Sequence, residues 1–168
     1  MTIEENLSLA HSRTTVGPLS FAPSKKEIAL FRDRLAEFGM GLEDRMKTKV
    51  GLLSGGQRQA VTLLMCTIVP PQLLLLDEHT AALDPATAEK VMDITRRVVA
   101  QYNLTTLMIT HNMRAALTTG TRTIMMDEGR ILFDLKGEER EKTTLDDLLQ
   151  MYSARKNKDF ANDRMLLD

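Results

Sequence analysis

Residues 70–78 read PPQLLLLDE, in which four consecutive leucines precede an aspartate and a glutamate. The apolar run is too short for a globular helix, and two prolines precede it. Continuous apolar character is typical of a strand in a parallel sheet, because helices cover both faces of such a sheet. The run therefore predicts a fully buried strand at Leu73–Asp77 and an α/β fold with a parallel sheet core.

Helix and strand signals alternate on the C-terminal side of this strand. Asp84-Pro85 predicts a helix start, because Asp84 can accept backbone N–H bonds and Pro85 loses nothing at the first helical position. The expected elements are a helix from 84 to about 102, a strand at 105–110, a short helix at 112–118, a hairpin of strands at 121–126 and 130–135, and a helix from 144 to about 154.

The N-terminal part is predicted to be mainly helical. Ser24 and Glu27 have the spacing of a capping box and open an amphipathic helix that ends at Gly39, and a second helix is expected from Ser54 to about Val69. Residues 1–23 look irregular, with a turn at 17–18 and room for a short polar helix at 3–10, and the polar tail at 155–168 is expected to be loosely held. We place a subdomain boundary near Val69, between a helical part at 1–69 and an α/β part at 70–168.

Composition and charge exclude several classes of protein. The chain has 168 residues and a net charge of −1, and no basic patch typical of a nucleic-acid binder is visible, so no nucleic-acid partner is expected. The single cysteine rules out an internal disulfide and suits a reducing compartment. No secretory signal and no apolar stretch near the roughly 20 residues of a membrane-spanning helix occur. We expect a cytosolic chain that reaches a membrane only by docking to another protein.

A glycine-rich turn precedes the helix expected at 54–69. It consists of Leu53, Ser54, Gly55, Gly56 and Gln57. Two glycines permit close approach of the backbone to a phosphate, and a helix N-terminus presents unpaired N–H groups and a partial positive charge. The string predicts an anion site built from backbone, and the alternative is an ordinary loop before a helix.

Two acids and a histidine are expected at the carboxyl ends of neighbouring strands, where α/β folds bind ligands. Asp77 is placed to hold magnesium, and Glu78 can orient and deprotonate an attacking water. His111 follows the strand at 105–110 and would lie near a bound γ-phosphate. The alternatives are a strand that ends in solvated acids and a structural histidine.

The order and spacing of these motifs resemble the ABC ATPase family, and the resemblance covers nearly the whole chain. It implies a P-loop NTPase (RecA-like) fold in which residues 53–57 are the signature motif and bind ATP, with Asp84 in the D-loop. It also implies that Asp77 ends the Walker B strand as a Mg2+ ligand, that Glu78 is the catalytic base and that His111 is the switch histidine. His79 stands where many family members have proline, and residues 58–60 depart slightly from the commonest pattern.

The phosphate-binding Walker A motif of that family, Gly-x-x-x-x-Gly-Lys-Ser/Thr, does not occur in the sequence. The Q-loop glutamine is also missing. Without the cradle of backbone donors and its lysine, the β- and γ-phosphates have no tight site in this chain. We therefore expect an N-terminally truncated cassette that is inactive alone, with a gap in its sheet between the strands at 105–110 and 121–126 and with exposed apolar faces.

The resemblance implies an ATPase subunit that couples hydrolysis of Mg-ATP to solute transport. Its expected partners are a second cassette, whose Walker A loop faces the signature of this chain, and a separate transmembrane permease. The expected location is peripheral, at the inner face of the plasma membrane, and the tail resembles uptake systems suspected of carrying amino acids. The alternatives are a non-catalytic module that completes the ATP site of a partner cassette and a non-transport ABC ATPase.

Overall fold

The computed structural model describes residues 1–14 and 23–154. Its helices are α1 (Ile3–His11), α2 (Lys25–Ala36), α3 (Gly55–Thr67), α4 (Pro85–Gln101), α5 (Met113–Thr118), α6 (Gly137–Lys142) and α7 (145–154), and short 3-10 turns lie at Ser12–Thr14 and Val50–Leu52. Its strands are β1 (Leu73–Asp77), β2 (Thr105–Ile109), β3 (Arg122–Asp127) and β4 (Arg130–Lys136). The turn expected at 17–18 and the tail at 155–168 lie outside the described residues.

Most of the helix boundaries follow from side chains that cap the first turn. Ser24, Ser54 and Asp84 cap α2, α3 and α4, each by accepting a hydrogen bond from the backbone N–H three residues later. At the start of α7, Thr144 Oγ1 accepts the N–H of Asp147, and Asp147 Oδ2 accepts the N–H of Thr144. These caps satisfy backbone groups that would otherwise lack partners, and they confirm the helix starts predicted at 24, 54, 84 and 144.

The N-terminal segment is more ordered than the sequence suggested. Thr2 and Glu5 form a capping box, and α1 buries Ile3, Leu7 and Ala10. The short helix that the sequence left possible at 3–10 is therefore present as α1, but its expected polar character is wrong, because its apolar side chains fall on one buried face. The short helix α6 was also not expected from the sequence.

The chain divides into two compact units, residues 1–109 and 110–168. In the first unit β1 and β2 pair in parallel, with Leu73 opposite Thr105 and Asp77 opposite Ile109. One apolar core joins this sheet to the four helices α1 to α4. Its members include Ile3, Leu7, Phe31, Leu35, Val61, Leu64, Leu74, Leu76, Ile94 and Val98. The predicted boundary near Val69 remains a prediction.

The prediction that β1 is buried on both faces is wrong. Leu74 and Leu76 are 3% and 9% exposed, whereas Leu73 and Leu75 are 51% and 64% exposed. Alternate side chains of a strand point to opposite faces, and the core described above covers only the face of Leu74 and Leu76. Leu107 and Ile109 of β2 are likewise exposed, so the first unit carries an open apolar sheet face.

The second unit contains the antiparallel hairpin of β3 and β4, as predicted. Glu128 and Gly129 form its two-residue loop, and both have positive φ, as the tight turn that matches the twist of the strands requires. Arg122 and Asp134 make an ion pair across the hairpin, at 2.6 Å. The described strands thus form two separate two-stranded sheets, one in each unit.

Candidate functional site

The glycine-rich turn forms the N-terminus of α3. Ser54 is exposed, its Oγ accepts the backbone N–H of Gln57 at 3.3 Å, and Gln57 Oε1 accepts the N–H of Ser54 at 3.2 Å. Leu53 is buried and anchors the turn in the core. The first turn of α3 carries no acidic side chain, so its partial positive charge is not compensated from within the helix.

The two glycines let the N-termini of α3 and α4 approach each other. A Cβ at Gly55 would lie 2.9 Å from Leu83 Cδ2, and a Cβ at Gly56 would overlap Thr87 Cγ2. Gly56 is buried and Gly55 half-buried. The structure thus gives these glycines a role in packing within the chain, and their predicted approach to a phosphate remains a prediction.

Asp84 lies on the helix that packs against this turn. Its Oδ1 accepts the N–H of Thr87 at 3.0 Å, and the hydrogen bonds from Thr87 lower the pKa of Asp84. The carboxylate is therefore ionised at neutral pH. The structure brings the predicted signature turn and the Asp84 segment together through the contacts of Leu83 and Thr87.

Gln57 is held by residues that the sequence did not single out. Arg45 Nη1 donates to Gln57 Oε1 at 3.2 Å, and Gln57 Nε2 donates to the carbonyl oxygen of Met40 at 3.4 Å. Both partners belong to the loop between α2 and α3, and no spacing rule predicts contacts of this kind. The side chain of Gln57 is therefore bonded within the protein at both its oxygen and its nitrogen.

Asp77 and Glu78 are exposed at the carboxyl end of β1, as predicted. Glu78 has φ +44°, its N–H donates to the carbonyl of Ile109, and its carbonyl accepts the N–H of Ala81. A left-handed backbone at a residue other than glycine costs about 1–3 kcal/mol and is common at functional sites. The turn after β1 thus holds the predicted base in a strained conformation.

His79, which stands where a proline is common, is half-buried against α4. Its Nε2 lies 3.2 Å from Thr95 Oγ1, and that hydroxyl donates to the carbonyl of Val91 at 2.9 Å. Thr95 Oγ1 therefore accepts from an Nε2–H group. Burial lowers the pKa of His79 and favours this neutral form.

His111 belongs to the second unit, where it is exposed and directly precedes Asn112, the N-cap of α5. Asp77 and Glu78 belong to the first unit. The convergence of the two acids and His111 around a phosphate remains a prediction.

The part of the chain that the structure describes holds neither a cluster of metal-binding side chains nor a membrane-spanning helix. Within 1–14 and 23–154, no group of three or more His, Cys, Asp or Glu side chains could hold a metal ion. Magnesium bound with a nucleotide uses one or two carboxylates together with phosphate oxygens and waters, so Asp77 alone is compatible with that mode. None of the described helices has the length and apolar character needed to cross a bilayer.

Comparison with known proteins identifies the family. The model of the ABC transporter family matches residues 1–81. The chain is 41% identical over 152 residues to a tyrosine transport ATP-binding protein of Clostridioides difficile (strain R20291), a match that covers 90% of this chain and 60% of that protein. It is 36% identical over 152 residues to methionine import ATP-binding protein MetN 1 of Bacillus thuringiensis subsp. konkukian (strain 97-27), covering 84% of this chain and 44% of that protein.

A solved structure gives a similar result. A dimeric ATP-binding cassette in a post-hydrolysis state, with ADP and phosphate bound, matches with a TM-score of 0.66 and 26% identity over 81% of this chain and 56% of that one. The chain therefore spans 60% or less of the length of these three proteins. It therefore contains part of an ABC transporter ATPase domain and has, in part, the P-loop NTPase fold of ATP-binding cassettes.

Proposed function

We propose that this chain is the signature- and Walker B-bearing part of an ATPase subunit that drives an ABC transporter. The observation that carries the proposal is the joint placement of two features in the first unit. The signature turn packs on the Asp84 segment through Gly55 and Gly56, and the acids Asp77 and Glu78 stand exposed where β1 ends. The family places its nucleotide-binding groups in these same motifs.

Each predicted site residue has a chemical role in this proposal. Asp77 holds Mg2+ directly or through water, and Glu78 orients a water and accepts its proton as that water attacks the γ-phosphate. His111 contacts the γ-phosphate. The amides at the start of α3 bind phosphate oxygens, since a helix N-terminus favours anions.

A second cassette is the proposed partner at the nucleotide. The signature turn of this chain would face ATP held by the Walker A loop of that partner, and a solved relative is a dimer with ADP and phosphate bound. No Walker A motif occurs in these 168 residues. We therefore propose that ATP binds tightly only where a Walker A loop is supplied by further polypeptide.

Transport of an amino acid is the proposed task of the assembly. The relatives that support it are named for tyrosine transport and methionine import. The energy of hydrolysis would pass to a transmembrane permease, with the ATPase bound peripherally at the inner face of the membrane. Uptake of labelled amino acids by cells with and without the gene tests this step, and unchanged uptake of every amino acid would contradict it.

The catalytic role of Glu78 is tested in a chimera that joins this chain to the part of the tyrosine transport relative that it does not span. Glu78→Gln should lower Mg-ATP hydrolysis by about 10²–10⁴-fold, the range of general base catalysis. Glu89→Gln is the matched control, because Glu89 is exposed on α4 and pairs with Arg96. Hydrolysis that survives Glu78→Gln would remove Glu78 from the mechanism.

A second candidate function is that of a non-catalytic module that completes the ATP site of a partner cassette. The complete signature turn in a chain without Walker A favours it. The 168-residue chain should then raise the ATPase rate of a Walker A-containing cassette while showing no micromolar affinity for ATP by itself. Glu78→Gln should leave this stimulation intact because the partner provides its own base, whereas sensitivity to Glu78→Gln would favour the catalytic proposal.

A further inference from the structure

The side chain of Gln57 is bonded inside the protein through its oxygen and through one N–H of its amide nitrogen. Its Oε1 accepts from the N–H of Ser54 and from Arg45 Nη1, both at 3.2 Å, and its Nε2 donates to the carbonyl of Met40 at 3.4 Å. An amide oxygen has two lone pairs, and both are used here. Gln57 could turn towards a nucleotide only by giving up the cap of α3 and the bond from Arg45.

Arg45 is well placed to fix this arrangement. Its own backbone is tied by bonds from Arg45 N–H to the carbonyl of Leu42 and from Thr48 N–H to the carbonyl of Arg45. Leu42 and Met46 on either side are buried in the core. The half-buried guanidinium therefore extends from a fixed loop and holds one oxygen of the turn that begins α3.

The position of this cation is electrostatically unusual. A positive side chain near a helix N-terminus is unfavourable by itself, because the helix end already carries a partial positive charge. The contact with the Gln57 oxygen offsets that effect. The arrangement fits a turn whose geometry is fixed from inside the protein by Arg45 and Gln57. A turn fixed in this way can present the amides at the start of α3 to an anion.

We propose that Gln57 and Arg45 are positioning residues for the signature turn. The inference rests on the proposed function, because it assigns how the Ser54 turn is presented to a nucleotide on a partner cassette. It adds a positioning role to the nucleotide-binding role that the family resemblance implies for Gln57. Arg45 acts through Gln57, and Gln57 acts by fixing the N–H of Ser54 and the first turn of α3.

The first test measures hydrogen exchange at the backbone amides of the 168-residue chain and needs no activity. Arg45→Met should speed exchange of the Ser54 amide about fivefold, the factor equivalent to one net hydrogen bond of about 1 kcal/mol, and Gln57→Ala should do so at least as strongly. Arg45→Lys keeps one donor and should restore part of the protection. Arg96→Met is the control, because Arg96 makes ion pairs with the exposed residues Glu89 and Asp93 on α4. Unchanged exchange in Arg45→Met would overturn the proposal.

The second test measures how the chain stimulates the ATPase of a Walker A-containing cassette. A positioning pair predicts that Arg45→Met and Gln57→Ala each lower the maximal rate with little change in KM for ATP, and that the double variant is no worse than the stronger single one. Independent effects that multiply would show that Arg45 does not act through Gln57. A rise in KM for ATP at an unchanged maximal rate in Gln57→Ala would show nucleotide binding without a positioning role, and either result would refute the inference. Absence of stimulation by the unaltered chain would instead contradict the proposed function, and the exchange measurement would still decide the role of the pair.

Discussion

Gly56→Ala tests whether the start of α3 is built for close packing on α4. A Cβ at Gly56 would lie closer than 3.0 Å to Thr87 Cγ2, a separation that Cβ atoms essentially never show, and 3.7 Å from Met40 Cε. The new methyl must displace a β-branched side chain whose χ1 is stiff in a helix. Overpacking of this kind costs about 1–3 kcal/mol, and alanine recovers about 1 kcal/mol through helix propensity. Because the overlap is severe, we expect a net loss of about 2 kcal/mol.

Urea unfolding followed by circular dichroism measures this loss, and thermal melting should show a decrease of about 4–8 °C for a chain of this size. Gly51→Ala is the matched control, because a Cβ there meets nothing within 4 Å. Thr87→Ser removes the overlapping methyl and keeps the hydroxyl, so it should restore most of the stability of Gly56→Ala. A Gly56→Ala variant as stable as the parent would refute the packing role.

Three further predictions concern the first unit. Ser24→Ala removes the N-cap of α2 and should cost about 1 kcal/mol in urea unfolding. Hydrogen bonds from Ser24, and secondarily from His11, lower the pKa of Glu27 in the folded state below its ordinary value of 4.5. The ionised Glu27 therefore contributes its full stabilisation above pH 4.5 and loses it as the pH falls through the lowered pKa. Glu27→Gln should reduce the decrease in melting temperature that acidification below pH 4.5 causes. Leu75→Lys should change the unfolding free energy by less than about 0.5 kcal/mol, because Leu75 is exposed. Leu74→Lys should prevent folding of the unit, because it would bury a charge. Equal effects of the two substitutions would contradict the one-sided burial of β1.

Local signals predicted most of the helices and strands. Capping residues and Pro85 marked helix starts because the groups that they satisfy lie within one turn of the chain. The same signal was present at Thr2 and Glu5, with Ile3, Leu7 and Ala10 at helical spacing, yet the sequence was taken to allow only a short polar helix in an otherwise irregular segment. The buried face of this helix was missed because average polarity over the segment hides the spacing of its apolar residues.

The contacts around the candidate site could not be predicted in the same way. Arg45 meets Gln57 across 12 positions, and His79 meets Thr95 across 16, so each pair depends on how separate elements pack. The run of four leucines was misleading for a related reason. Its composition is typical of a strand covered on both faces, whereas the described core covers one. The apolar pattern of a strand indicates the environment that would suit it. Which face of the strand is covered depends on how the other elements pack.

The packing of α3 on α4 links residues to which the sequence assigned separate roles. Ser54 caps one helix and Asp84 caps the other, and Gly55 and Gly56 bring the two starts together against Leu83 and Thr87. Because a Cβ at Gly56 would overlap Thr87, a shift of one turn changes how the other is packed. A displacement of the signature turn by a nucleotide on a partner cassette would therefore be passed to Asp84 through van der Waals contact, with no additional hydrogen bond needed.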